Sequence, residues 1–211
     1  YPSHYLMYSL PCFKAENEKE VIDFMHQHPF ITLTGVDANS QPVATHVPVL
    51  IEERLGKFFL LGHIMKQTDH HKAYTQNTNV LAIFTGPHTY VSASWYKDQK
   101  QAGTWNYLAV HAKGKLLFLN EDALLDILKR ITAHFENNPS SPSLFEHLAP
   151  EYINRLAKAI ISFEIEVTEI AHVFKMSQNR DKESYQNIVE NLQKGNREAQ
   201  DVAAIMEKNK K

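Results

Sequence analysis

The stretch Ile160 to Lys175, IISFEIEVTEIAHVFK, alternates by twos along its whole length. A period of two buries one face of a strand and leaves the other exposed, whereas a helix needs apolar residues three and four apart. The same alternation fills TWNYLAVHAKGKLLFL, which follows TYVSASWY across the polar loop KDQKQAG and predicts a hairpin. Upstream, β-branched runs at 30–36, 43–51 and 57–62 are separated by DANSQP and EERLG, predicting three strands in a meander. NVLAIFTG adds a buried-strand run that ends at Gly86 and Pro87. Six or seven strands in one antiparallel sheet make the chain mainly β (α+β), a β-barrel with peripheral helices.

Helical spacing is confined to other segments. NEKEVIDFMHQH reads as a short helix behind Asn17, and KQTDHHKAYTQN as a short surface helix. Leu124, Leu125, Leu128, Ile131 and Phe135 recur at helical intervals behind an Asn120 cap, and APEYINRLAKA follows with Pro150 near its first turn. These two form a helical insertion over about 120–159. A charged tail from 181 to 211 is helical in propensity, so about five helices surround a single barrel domain over 1–211.

With 43% hydrophobic and 22% charged residues the chain is that of an ordinary globular protein. A net charge of −2 gives no global basic excess, and no helix-turn-helix with a basic recognition helix stands out, so direct DNA contact has no support here. The single cysteine, Cys12, fits a reducing compartment, and cytoplasm is the expected location. The start YPSHYLMYSLPCF lacks the charge and apolar core of a signal peptide, and no apolar run is long enough to span a membrane.

Phosphate loops, the Gly-x-Ser-x-Gly elbow and the His-Glu-x-x-His motif are all absent. Twelve histidines show no spacing diagnostic of zinc or of a facial iron triad, so no metal site is assigned. Three places hold chemistry instead. GHIMK ends a strand with His63 and Lys66 at a helix start, which suits a phosphate; the plainer alternative is a solvated helix cap. FKMSQNRD crowds Lys175, Ser177, Gln178, Asn179 and Arg180 at a strand end, suiting an anion or a heteroaromatic edge as well as a surface turn. The Trp/Tyr hairpin offers rings for stacking or for an interface. A phosphate seat, stacking rings and donors together suit a nucleotide or flavin.

The blocks MYSLPCF, ATHVPVL, GHIMK, GPHTYVSASWY, TWNYLAVHAKG and KMSQNR occur in this order between Met7 and about Leu192. The set resembles the PaiB family of FMN-binding negative transcriptional regulators. The resemblance implies an antiparallel FMN-binding split β-barrel that works as a homodimer with flavin at the subunit interface. It further implies Thr45, His46, His63 and Lys66 on the phosphate side, and Trp105, Asn106, Lys175 and Gln178 toward the ring or from the second subunit. A transcriptional role would then work through flavin or ligand sensing. Alternatives in the same superfamily are a flavin-dependent oxidoreductase of the pyridoxamine-phosphate oxidase type and a haem-binding or haem-degrading split barrel. The chain departs from the family's GHxARxNP, with Lys66 at the Arg position and Thr68-Asp69 in place of Asn-Pro. Lysine keeps the charge and loses the guanidinium fork. Ala93 stands where proline is usual.

Overall fold

Residues 7–8 and 10–208 are described by the computed structural model. The opening YPSHYL stretch, Ser9 and the last three residues of the expected helical tail lie outside them. Seven strands form one sheet: β1 (Phe30–Val36), β2 (Pro42–Pro48), β3 (Leu50–Arg54), β4 (Lys57–Met65), β5 (Asn79–Val91), β6 (Thr104–Phe118) and β7 (Ile160–Lys175). Their order is β2-β1-β5-β6-β7-β4-β3. Six α-helices are described: α1 (Glu18–Gln27), α2 (Asp69–Gln76), α3 (Glu121–Glu136), α4 (Pro150–Ala159), α5 (Lys182–Leu192) and α6 (Arg197–Lys208). The chain folds into two compact units, the first made of 1–24, 85–110 and 171–211 and the second of 25–84 and 111–170.

Unit 2 contains β1 to β4 and one end of each of β5, β6 and β7. The expected three-strand meander is not what forms there. The run 43–51 is split at Val49 into β2 and β3, which lie at opposite ends of the strand order. Pro48, with no N–H to extend the ladder, is the last residue of β2, and the N–H of Val49 bonds instead to the carbonyl of Pro29 at 2.9 Å. The chain can therefore turn a corner and start a second hairpin. The first hairpin closes on Asp37, whose carboxylate accepts from the N–H groups of Asn39 and Gln41, both at 2.8 Å. The second closes on Leu55 and Gly56, both at positive φ (53° and 74°), the signature of a primed two-residue turn that matches strand twist. β2, at one end of the strand order, meets β4, next to the other end, at Gly62, where a Cβ would stand 3.1 Å from the Pro48 carbonyl oxygen. That closeness is what curls an antiparallel sheet toward a barrel.

On the helical side of unit 2, Leu50, Leu61, Ile127 and Ile131 form one buried cluster, and Leu124, Leu128, Ala157 and Ile160 another. Of the stripe read from the α3 sequence, Leu124, Leu128 and Ile131 pack here, joined by Ile127, while Leu125 is half-buried and Phe135 is exposed. Asn120 caps α3 as expected, its side chain accepting from the N–H of Ala123 at 3.0 Å.

Unit 1 gathers the N-terminal segment, the other ends of β5, β6 and β7, and the α5–α6 pair. Here the hairpin half TYVSASWY is strand only as far as Val91. Ser92 then accepts from the N–H of Ser94 and starts a single 3-10 turn over Ala93–Trp95. A serine bonding its own backbone two residues on competes with the ladder, which ends the strand.

Candidate functional site

The eight candidate residues fall into two groups of four, one within each unit. In unit 2, Thr45 and His46 are neighbours on β2, registered against Leu33 and Thr32. Successive strand residues point to opposite faces, so these two side chains cannot line one wall together. His46 is exposed and stacks on Phe30 with ring centroids 6.2 Å apart, while Thr45 is half-buried.

His63 lies on β4 directly opposite Ser162 of β7. Cross-strand partners share a face, with Cβ atoms about 5 Å apart. The Nδ1 of His63 and the Oγ of Ser162 are both buried without a hydrogen-bond partner, and Ser162 is wholly buried. Burial pulls the His63 pKa below the usual imidazole value, which favours the neutral ring. Two unpartnered polar atoms on one face are costly unless water or a ligand completes them. Nothing in the alternation of IISFEIEV marks Ser162; only the register shows that it meets His63.

Lys66 follows β4 and leans on α4. Its N–H bonds the carbonyl of Ala159 at 2.9 Å, and its ammonium donates to the carbonyl of Ala157 at 3.1 Å. A cation on the last carbonyls of a helix is favoured by the helix dipole, so Lys66 closes α4 as well as standing beside His63 in sequence. An ammonium has three donors, and two remain for a ligand. The helix start expected to join this seat is already self-capped. Thr68 accepts from the N–H of His71 at 3.2 Å, and Asp69 takes the N–H of His70 at 2.8 Å. The helix start thus offers no free backbone donors at His70 and His71, which leaves His63 and Lys66 as the side-chain donors of GHIMK.

In unit 1, Trp105 is 54% exposed, and its ring meets Tyr90 edge-on at 6.0 Å. Gly103 makes room for Tyr90, because a Cβ there would stand 2.1 Å from the phenol oxygen. Asn106, next along β6, is wholly buried. Its amide nitrogen donates to the Met206 sulfur at 3.4 Å, and its amide oxygen accepts from the Ser177 hydroxyl at 3.0 Å. That amide belongs to the packing of unit 1. Gln178 is likewise engaged locally: it accepts from the N–H of Met176 at 2.7 Å and donates to the carbonyl of Phe174.

Lys175 differs from its neighbours. Its ammonium donates to the Thr104 hydroxyl at 2.5 Å and lies 5.9 Å from the ring centres of both Tyr8 and Phe13. Burial, and then the charge of Arg180, hold its pKa below the ordinary lysine value. The turn after it is strained. Ser177 has φ of 61°, a left-handed conformation held by its bond to Asn106 and by the N–H of Arg180 on its own carbonyl at 3.0 Å. Sequence reading found the donors of KMSQNR but not this lock, because Asn106 and Met206 lie far from the turn in the chain.

Among the described residues no group of three or more histidine, cysteine or acidic side chains could hold a metal ion, and no helix is long and apolar enough to cross a membrane.

Residues 7–169 match a family profile described as "Putative FMN-binding domain". Over 202 residues, covering 95% of this chain and 97% of the relative, the sequence is 33% identical to the protease synthase and sporulation protein PAI 2 of Bacillus subtilis. Two solved structures share the fold: a conserved hypothetical protein of Mycobacterium tuberculosis (TM-score 0.57, 11% identity, 82% of this chain and 92% of that one), and the flavocytochrome Anf3 of Azotobacter vinelandii (TM-score 0.55, 15% identity, 82% and 74%). The chain belongs to the PaiB-like family of FMN-binding split barrels. Its cofactor is FMN.

Proposed function

We infer that the protein is an FMN-binding homodimer that regulates gene expression through flavin or ligand sensing, with the flavin phosphate held on unit 2 by His63 and Lys66. The observation that carries the seat is the pair of buried, unpartnered atoms, His63 Nδ1 and Ser162 Oγ, on one face of the β4–β7 ladder. The donor set fits a phosphate: a cation with two donors left, an imidazole and a hydroxyl, with Thr45 or His46 contributing from β2. When bound, FMN supplies reversible one- or two-electron redox chemistry. The chain's own part is to bind the phosphate, orient the ring and keep water out.

In unit 1 the exposed Trp105 and Tyr90 rings suit contact with the second subunit, since aromatics with a polar tip are favoured in interfaces.

The test is FMN titration of wild type, Lys66→Ala and Lys66→Gln by flavin absorbance and fluorescence, with melting temperature followed in parallel. A charge-assisted phosphate contact contributes about 1.5–3 kcal/mol, so affinity falls about tenfold or more in both variants. Because Lys66 also closes α4, a small drop in melting temperature accompanies it. Unchanged FMN affinity in both variants removes Lys66 from the seat.

A further inference from the structure

Unit 1 holds three half-buried cations that lack a carboxylate within ion-pair distance among the described residues. Lys14 donates to the carbonyl of His172 at 2.9 Å, Lys175 to Thr104, and Arg180 to Gln101 while lying 4.0 Å from the Tyr96 ring centre. Elsewhere in the same unit Lys97 does find a carboxylate, Glu183, at 2.9 Å. An ammonium partly removed from water is costly without a counter-ion, and aromatic faces at 5.9 Å compensate only in part.

The surroundings of Lys175 are polar on one side and aromatic on the other. Thr104 supplies a hydroxyl beside the ammonium, and Tyr8 and Phe13, themselves 5.7 Å apart, present rings to it. Below lies the locked turn: Met206 holds Asn106, Asn106 holds the left-handed Ser177, and Gln178 closes Met176 back on Phe174. A strained turn fixed from several sides is how a fold spends stability to keep one side chain in place.

We propose that Lys175, Thr104, Tyr8 and Phe13 form a binding site for a small organic anion, its carboxylate on the lysine and its planar apolar body against the two rings. Asn106 and Ser177 are positioning residues for this site. The proposal rests on the sensing reading above and names the class of ligand sensed; the ligand's charge replaces the counter-ion that unit 1 lacks.

The experiment is calorimetric titration of the purified, FMN-loaded protein with benzoate as probe and neutral benzamide as its uncharged counterpart. Saturable benzoate binding that weakens with added salt, with benzamide binding at least tenfold more weakly, is the expected result. Lys175→Met lowers benzoate affinity at least tenfold, Lys175→Arg restores most of it, and Asn106→Ala gives an intermediate loss. No saturable benzoate binding, equal binding of benzamide, or unchanged binding in Lys175→Met overturns the proposal. FMN and inorganic phosphate are titrated against the same variants. A loss of FMN or phosphate affinity parallel to that of benzoate would assign Lys175 to the flavin and overturn a separate anion site. Absence of FMN from the wild-type protein defeats the flavin reading instead, and the benzoate against benzamide comparison still decides the site. If Lys175→Met fails to fold, the wild-type comparison and Lys175→Arg carry the decision.

Discussion

The Asn106–Ser177 cluster of unit 1 and the His63–Ser162 pair of unit 2 treat their buried polar atoms differently. In unit 1, Asn106, Ser177 and Ser184 are buried and bonded: Asn106 to Met206 and Ser177, Ser184 to Asp181 at 2.6 Å and to the N–H of Lys97 at 2.9 Å. The Tyr96 hydroxyl is the exception there. In unit 2, His63 and Ser162 face each other with Nδ1 and Oγ unpartnered, and the sheet around them is held by close backbone approach instead. At Gly114, a Cβ would stand 2.5 Å from the Glu166 carbonyl oxygen. A saturated network rigidifies, whereas an open pair waits for a partner, so the difference separates residues that build the scaffold from residues that meet a ligand.

The comparison breaks most sharply at Gly114. Gly114→Ala sets a methyl against backbone that cannot rotate away, and a loss of about 3 kcal/mol in chemical denaturation is expected. A loss under about 1 kcal/mol would mean that β6 and β7 yield there more than rigid packing allows. Next comes unit 1, where Asn106→Ala leaves the Ser177 hydroxyl buried without its acceptor; about 2 kcal/mol is expected in the same measurement. Ser177→Ala in that background should then cost little more, since the pair acts as one interaction. An additive double variant would show that the two are not coupled.

A smaller, opposite effect is expected at the β3–β4 turn. Leu55 is fully exposed at positive φ, where an aliphatic side chain gains no burial and suffers backbone strain. Leu55→Asn should stabilise by about 1 kcal/mol, seen as a raised denaturation midpoint. No gain would mean that the turn relaxes its φ.

The smallest effect sharpens the contrast through pH. His63 has a folded pKa below its ordinary 6.5, so the unfolded chain binds the proton more readily. Its contribution is present above the unfolded value and is lost as pH falls toward the folded one. Melting temperature should therefore fall less on acidification in apo His63→Gln than in apo wild type. Bound phosphate beside His63 would favour the protonated ring, so FMN should reduce the wild type's acid sensitivity more than the variant's. Identical acid profiles with and without FMN would separate His63 from the phosphate.

Much of the sheet was readable in advance, because alternation by twos in 104–118 and 160–175 allows no other element, and β6 and β7 are strands over those spans. The run 43–51 misled because its composition is uniformly strand-like. What splits it is the corner at Pro48 and Val49, and the N–H of Val49 finds its acceptor at Pro29, a choice the local pattern does not encode. Family blocks in the sequence pointed to FMN and to His63, Lys66 and Lys175 as residues with chemistry.

By itself, then, the sequence determined an antiparallel β-barrel with peripheral helices and the places where donors cluster, because periodicity, caps and motif spacing are local; the split-barrel class came from the resemblance of its blocks to a family. Tertiary structure decided which donors are spent and which remain open. Asn106 and Gln178 look like ligand contacts in the chain and are engaged inside unit 1, while Ser162 looks like filler and faces His63 unpartnered. The reason is physical: whether a polar atom is satisfied depends on partners far away in the chain, and only folding brings them within hydrogen-bond reach.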